Sequence, residues 1–422
     1  MSTSHMHIGL VGPIATADIK HLLDGDITRL PKGYAGGPLL ATLITELLAR
    51  GHTVSAFTLT NDLPLKTDAA VTAIGADNRF SLHYVPMRPK AWRPNGWLPG
   101  RIMDFFRFEI QGLKRAILER KPEVLHAHWV YEFALAAIDT GLPHVITCHD
   151  SPLTIAKLNS RSRPTHSLYR WLRVLMARKT FKSAKLVTAV SPYMRDEVQG
   201  MTKTPIQVVS NPVDDLAIEL SAIRDIDNRP AIAMICNGWT AWKNPEPGLV
   251  AFNKLLGRVP AASLHLYGND FGAGQIAEKW CKAKGIEKNM KFHGAVPHKQ
   301  LLHSLAKHDL LLHTSLEESF GMALAEAMAM GCPVVGGEES GAVPWVLNNC
   351  GVLCDIKDEN DIYRALMIAI DPENYKELAK KSIANASDRF TTSVIVDGYT
   401  KAYASALSNN TVSLQLDRKQ TI

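Results

Sequence analysis

Two glutamates separated by seven residues, Glu318 and Glu326, stand in the string Leu312-His313-Thr314-Ser315-Leu316-Glu317-Glu318-Ser319-Phe320-Gly321-Met322-Ala323-Leu324-Ala325-Glu326-Ala327-Met328-Ala329-Met330-Gly331-Cys332-Pro333-Val334-Val335. The pattern reads as strand, turn, short helix, glycine stop and strand, with Ser319 capping a helix that runs to Met330 and Gly331 ending it. A helix that begins at the carboxyl end of a strand presents unpaired N–H groups and a partial positive charge, a suitable seat for a diphosphate. Carboxylates just before and within such a helix can accept hydrogen bonds from sugar or ribose hydroxyls. A cation is available from Asn237-Gly238-Trp239-Thr240-Ala241-Trp242-Lys243-Asn244-Pro245, where Lys243 follows another strand. In Lys32-Gly33-Tyr34-Ala35-Gly36-Gly37-Pro38, Gly36 and Gly37 allow close backbone approach to a ligand, and Pro38 suits a first helical position.

Other clusters weigh against metal and redox chemistry. Glu123-Val124-Leu125-His126-Ala127-His128-Trp129 and Pro143-His144-Val145-Ile146-Thr147-Cys148-His149-Asp150 read as strands ending in histidines at one rim of a sheet. His126 and His128, spaced by two, project from one face, but no acid or cysteine nearby in sequence completes a ligand set. Asp24-Gly25-Asp26 and Asp225-Ile226-Asp227 imitate an Asp-x-Asp motif without sitting beside the paired glutamates. The six cysteines include no Cys-x2-Cys pair, which points to a reducing compartment and no structural metal. No Gly-x-Gly-x-x-Gly follows a strand with a suitable acid downstream, so a nicotinamide site is not indicated.

The whole glutamate string, Glu-Ser-Phe-Gly…Glu-Ala-Met-Ala…Gly-Cys-Pro-Val-Val, resembles the donor signature of retaining GT-B glycosyltransferases of family 4, the group 1 glycosyl transferases. The resemblance implies that Glu318 lies against the transferred sugar and Glu326 holds the ribose, with Ser319, Phe320 and Gly321 at the donor site. Gly238 and Lys243 match the family's diphosphate-facing segment, but Trp239 stands where an arginine is expected and the spacing is shorter by one. The lysine role therefore carries over and the arginine role does not. The Gly36-Gly37 loop is similar to the one facing the sugar and leaving phosphate, and His149 to a strand-end histidine that reaches the sugar or acceptor. His293-Gly294-Ala295-Val296-Pro297 is similar to the loop whose backbone meets the nucleobase, through Gly294 and Ala295, and leaves uridine versus guanosine open. Ser191-Pro192-Tyr193 and Asn211-Pro212-Val213-Asp214 resemble further landmarks, the latter with proline replacing glycine.

What the resemblance implies is transfer of a sugar from a UDP- or GDP-linked donor to a hydroxyl of a glycan or lipid-linked saccharide, with retained configuration and neither metal nor cofactor. The catalytic residues would be Glu318, Lys243 and His149. An epimerase on the same frame would release altered sugar without an acceptor. A non-catalytic sugar-nucleotide-binding subunit finds its best support in the missing arginine.

The elements that must position these residues are legible as alternation. With 422 residues, 46% hydrophobic and 21% charged, the chain has room for two ordinary cores. Strand-like runs at 7–11, 54–59, 124–126, 144–147, 186–190 and 207–209 are interleaved with helical patterns such as 38–49, and a second set begins at Ala231. The expected class is α/β: two Rossmann-like doubly wound domains facing across a cleft, the GT-B architecture. The expected division is 1–212 plus a returning helix over 394–410, implied by the resemblance, and 213–393. Beyond Leu407 the polar tail is expected to be loosely ordered. No run of eighteen apolar residues is present, and a strand-like run starts too early to leave room for a signal peptide, so a cytoplasmic protein is expected. Residues 88–121 hold nine Lys/Arg against three acids, and 151–185 hold nine and no acid. Tryptophan and phenylalanine stand among them, which suits an anionic membrane surface better than nucleic acid, for which no binding module is recognisable.

Overall fold

The computed structural model describes residues 5–37, 39–66, 71–75, 78–159 and 163–420, with backbone alone at residue 71 and over 409–420. The chain divides into two compact units, one of Met1–Val190, Met194–Val209 and Ile395–Ile422, the other of Ser191–Tyr193 and Ser210–Val394.

The first unit is built on eight strands: β1 (His7–Val11), β2 (Thr53–Thr60), β3 (Val71–Ile74), β4 (Phe80–Pro86), β5 (Val124–His128), β6 (His144–Cys148), β7 (Val187–Ala189) and β8 (Ile206–Val208). Their order is β3-β4-β2-β1-β5-β6-β7-β8, parallel except for β3 at the edge. Every residue of β5 and β6 is buried, as a sheet covered on both faces requires. β3 and β4 escape the sequence pattern because β4 carries buried polar residues. Its His83 binds Thr72 Oγ1 at 3.0 Å and Ser81 Oγ at 2.9 Å, and burial lowers its pKa to about 3.

The helix Leu39–Ala49 buries Leu40, Leu43, Ile44, Leu47 and Leu48, and Gly51 ends it at φ 88°; Pro38, expected at its start, lies outside the described residues. The helix Thr392–Gln420 places Ile395, Val396, Tyr399, Ala402, Tyr403 and Ala406 in the first unit's core beside Leu10 and Val145. Its backbone stays helical to Gln420, so the polar segment after Leu407 continues the helix rather than forming the loose tail expected.

The second unit holds β9 (Ala231–Ile235), β10 (Ser263–Tyr267), β11 (Met290–Gly294), β12 (Leu310–Leu312), β13 (Val334–Gly337) and β14 (Val352–Cys354), ordered β11-β10-β9-β12-β13-β14 and wholly parallel. In each sheet the order reverses beside its first strand, between β1 and β5 and between β9 and β12. Open α/β sheets bind ligands past the carboxyl ends of their strands at such a reversal of order.

The basic stretches need correction. Arg88 and Arg173 are interior residues, not parts of a charged face. Arg88 is fully buried, its guanidinium bound to Glu109 at 2.6 and 3.0 Å and to Asp104 at 2.8 and 2.9 Å. Burial opposes its charge, but the two carboxylates outweigh that and raise its pKa. Arg173 pairs with buried Glu132 and lies 3.8 Å from the Tyr131 ring centroid and 4.9 Å from that of Phe106. Phe106 and Phe181 are core residues as well. Removing one partner of a buried pair strands the other's charge, which costs about 3–5 kcal/mol. Glu109→Ala is therefore expected to destabilise by about that much in urea unfolding; a loss below about 1 kcal/mol, the range of an exposed pair, would contradict the assignment.

Candidate active site

The site grows from the β9/β12 switch point. β9 and β12 pair in register, Met234 opposite Leu312, so the loops leaving them start side by side. Two bonds strap the loops together: Leu316 N–H donates to the Trp242 carbonyl (2.8 Å), and Thr314 Oγ1 donates to the Lys243 carbonyl (3.0 Å). Gly248 backs this strap, since a Cβ there would lie 2.7 Å from the Thr314 methyl.

The straps bring Lys243 and Glu318 together across seventy-five residues of chain. Lys243 Nζ and His313 Nε2 each lie 3.5 Å from Glu318 Oε2, and the Lys243 ammonium stands 4.5 Å from the centroid of the Trp242 ring. The Glu318 side chain keeps only 20% of its exposure. Burial works against its ionisation, but the His313 ring and the Lys243 ammonium outweigh burial and hold the carboxyl below its ordinary range. The Glu318 carbonyl accepts from Ala342 N–H at 2.8 Å, and a Cβ on Gly341 (φ 59°) would stand 2.5 Å from that same oxygen. The residue is thus fixed at both backbone and side chain.

The helix after it runs Met322–Ala329, beginning later than a Ser319 cap requires. Its cap is Gly321 (φ 88°), which has no side chain to offer the first-turn N–H groups. By contrast Asp214, Asp358 and Asp371 each accept a hydrogen bond from the helix they cap. Ser319 instead offers its carbonyl to Ser191 Oγ (2.6 Å), and Tyr193 OH donates to Glu317 Oε1 (2.7 Å). Phe320 is a core residue, its ring edge-on to Phe390 at 5.2 Å, so only its backbone can reach a ligand. Glu326 lies on this helix, 3% exposed, with Oε1 2.8 Å from His298 Nε2. His298 Nδ1 in turn lies 3.8 Å from Asp214 Oδ2.

Gly238 (φ 103°) turns the β9 loop, where Trp239 N–H donates to Asp270 Oδ2 at 2.9 Å. The Trp239 ring packs between Phe271 (5.7 Å) and Trp280 (5.6 Å), so the position expected for an arginine is an aromatic anchor. Gly294 (φ 72°) spends its N–H on the Phe271 carbonyl and its carbonyl on Gly268 N–H, whereas the next residue, Ala295, is exposed.

In the first unit the glycine loop follows β1. A Cβ on Gly37 would meet the Pro13 carbonyl at 2.6 Å, and one on Gly36 (φ 135°) would meet the Trp129 ring at 3.2 Å. These glycines admit the chain's own backbone and ring closely. His149 follows β6 with Nε2 2.8 Å from His128 Nδ1, and burial lowers its pKa to about 4, leaving the ring neutral at pH 7. His126 bonds Tyr403 OH (2.8 Å) and Thr147 Oγ1 (2.7 Å), so the paired histidines of β5 serve to order the rim. Among the described residues no group of three or more His, Cys, Asp or Glu is arranged to hold a metal ion, and all six cysteines are unpaired and buried.

Sequence reasoning missed His313 and His298. His313 is detectable as the first residue past a buried Leu-Leu-Leu strand, a rim position like that of His149. His298 gives no local signal, because its partner Glu326 belongs to another element.

Comparison with known proteins bears on the family and the fold. Residues 38–215 match the family model Glycosyltransferase Family 4, and 218–389 match Glycosyl transferases group 1. The N-acetyl-alpha-D-glucosaminyl L-malate synthase of Bacillus anthracis is 25% identical over 68% of this chain and 76% of its own length. The D-inositol 3-phosphate glycosyltransferase of Stackebrandtia nassauensis is 26% identical over 90% of this chain and 89% of its own. Among solved structures, the sucrose-phosphate synthase of Thermosynechococcus elongatus superposes with TM-score 0.71 at 15% identity, over 96% of this chain and all of that one. Anabaena HepE in complex with UDP and glucose superposes with TM-score 0.61 at 19% identity, over 95% of this chain and all of its own. Two parallel α/β sheets, the glutamate helix following β12 and family matches over both halves agree: the chain belongs to the family 4, group 1 glycosyltransferases of GT-B architecture.

Proposed function

We propose that this glycosyltransferase moves a sugar from a nucleoside diphosphate to a hydroxyl of a glycan or lipid-linked saccharide, with retention of anomeric configuration. The observation that carries the proposal is Glu318, a largely buried carboxylate kept ionised by Lys243 and His313 beside a helix start left open by Gly321. The solved complexes of HepE with UDP and with UDP-glucose support a donor of this class on the same fold.

In this reading the diphosphate lies against the N–H groups that open the Met322–Ala329 helix and within reach of the Lys243 ammonium. Negative charge that grows on the leaving phosphate as the glycosidic bond breaks meets dipoles and a cation already in place. Glu318 accepts from hydroxyls of the transferred sugar, and buried Glu326, oriented by His298, accepts from the ribose. The base meets the backbone at Gly294, whose carbonyl keeps a lone pair beyond its bond to Gly268 N–H, and at the exposed Ala295. Neutral His149, its ring fixed by His128, can exchange a hydrogen bond with the sugar or acceptor. The acceptor hydroxyl's proton passes to the departing phosphate oxygen, so the charge on that oxygen is neutralised as the new bond forms.

Glu318→Ala and Lys243→Ala are each expected to lower turnover with a UDP- or GDP-sugar at least roughly a hundredfold, on the scale of losing one electrostatic stabiliser; unchanged transfer in both variants contradicts the site. Because the protein supplies the positive charge, turnover is expected to persist in excess EDTA, and its loss with recovery on adding Mg2+ would refute that division of labour. The depressed pKa of Glu318 sets the sign of the acid limb: the ionised form persists through the ordinary glutamate value of 4.5 and is lost only below it. A pH profile of donor affinity is expected to fall there, and a midpoint above 4.5 would show that Glu318 is not held as described.

A further inference from the structure

With Arg88, Arg173, Phe106 and Phe181 assigned to the interior, a smaller set of side chains in the basic stretches faces water, and it is ordered. On the helix Pro164–Ser183, Leu168, Trp171 and Leu175 are 52%, 42% and 49% exposed and recur at helical spacing on one face. The same face continues into Arg178, Lys179 and Lys182, all exposed. The opposite face, with Val174, Ala177 and Phe181, is buried, so the helix is apolar on both sides and only one side is covered.

A second exposed apolar segment belongs to the same unit. Arg173 of this helix stacks over Phe106, while the neighbouring Phe105 turns outward at 41% exposure. Phe105 and Phe106 occupy consecutive left-handed positions (φ 54° and 61°), a conformation bulky L residues rarely adopt. These positions turn the Phe105 ring into water and the next, that of Phe106, into the core. Trp97, 77% exposed, sits on a tight turn closed by two backbone bonds between Asn95 and Leu98. The buried Asn95 side chain pins this turn through Lys90 and Pro99. These rings are held out by defined backbone rather than left in loose loops.

We infer that this surface of the first unit docks on an anionic lipid bilayer, its exposed rings and leucines entering the interface and its cations meeting headgroup phosphates. Rings at headgroup depth with lysine and arginine beside them suit that boundary. The charge suits an anionic headgroup layer: with buried Arg173 set aside, residues 151–185 still carry eight Lys/Arg and no acid.

The full chain, mixed with phosphatidylcholine vesicles containing phosphatidylglycerol, is expected to float with them at low salt, to be released by high salt, and to ignore pure phosphatidylcholine. Each cation near such a surface adds about fivefold to partitioning, so Arg178→Glu/Lys179→Glu is expected to weaken binding at least about tenfold. Trp97→Ser/Trp171→Ser is expected to weaken it comparably and to remove the quenching of tryptophan fluorescence by brominated lipid. Unchanged melting temperatures show that both variants are folded. No flotation of the wild-type chain at low salt overturns the inference, as does wild-type binding by both variants. A wild-type dimer in light scattering that the tryptophan variant dissociates, without lipid binding, also overturns it and marks the face as a contact between copies.

Discussion

A carboxylate that must stay charged while mostly shielded from water needs a cation at close range, and the architecture around Glu318 answers that need. The lysine comes from the loop after β9 and the glutamate from the loop after β12, distant in sequence and adjacent because the sheet reverses its order between those strands. Bonds from Leu316 N–H to the Trp242 carbonyl and from Thr314 to the Lys243 carbonyl then hold the loops at one separation. Strand order, register and loop straps are all preconditions of a 3.5 Å contact that neither loop could make alone.

That dependence explains what could be read from residues and what could not. Strands such as His7–Val11 and Leu310–Leu312, the tandem α/β plan and the glutamate helix follow from short continuous apolar runs and local patterns of period 3.6, and these were legible. β3 and β4 were not, because His83 is buried through bonds to Ser81 of its own strand and to Thr72 of the neighbouring one. The helix start was misplaced at Ser319 because serine is a favoured cap. The structure uses Gly321 in a left-handed conformation instead, since Ser319 is committed to Ser191. Glu318 and Lys243 could be named one at a time from motif resemblance. Of the histidines that support the two glutamates, His313 is marked only by its rim position after a Leu-Leu-Leu run, and His298, paired with Glu326 of another element, left no pattern in the string.

Charge counting failed for a related reason. Lys/Arg tallies over 88–121 and 151–185 treat every cation as solvated, yet Arg88 and Arg173 hold the first unit together from inside, each against carboxylates and rings. Guanidinium is suited to that use because it is planar, weakly hydrated and able to meet two carboxylates at once. A basic segment therefore says little about a surface until its paired members are removed, and in this chain the remainder is the more ordered part.

The tryptophan at position 239 bears on how the proposed donor site balances its charges. With its ring between Phe271 and Trp280, it fixes the β9 loop by apolar contact, where a cation would have brought a second positive charge to the diphosphate. Lys243 then has two obligations under the proposed reaction, because it neutralises Glu318 before the donor arrives and faces the diphosphate afterwards. His313, buried at 3.5 Å from the same carboxylate oxygen, can keep Glu318 company while the ammonium turns toward phosphate. In the proposed reaction the rest comes from the fixed N–H dipoles at the start of the Met322–Ala329 helix, where Gly321 provides no side-chain cap. An electrostatic site can therefore tolerate the loss of a mobile cation when a neighbouring ring frees its remaining lysine and the backbone is already oriented.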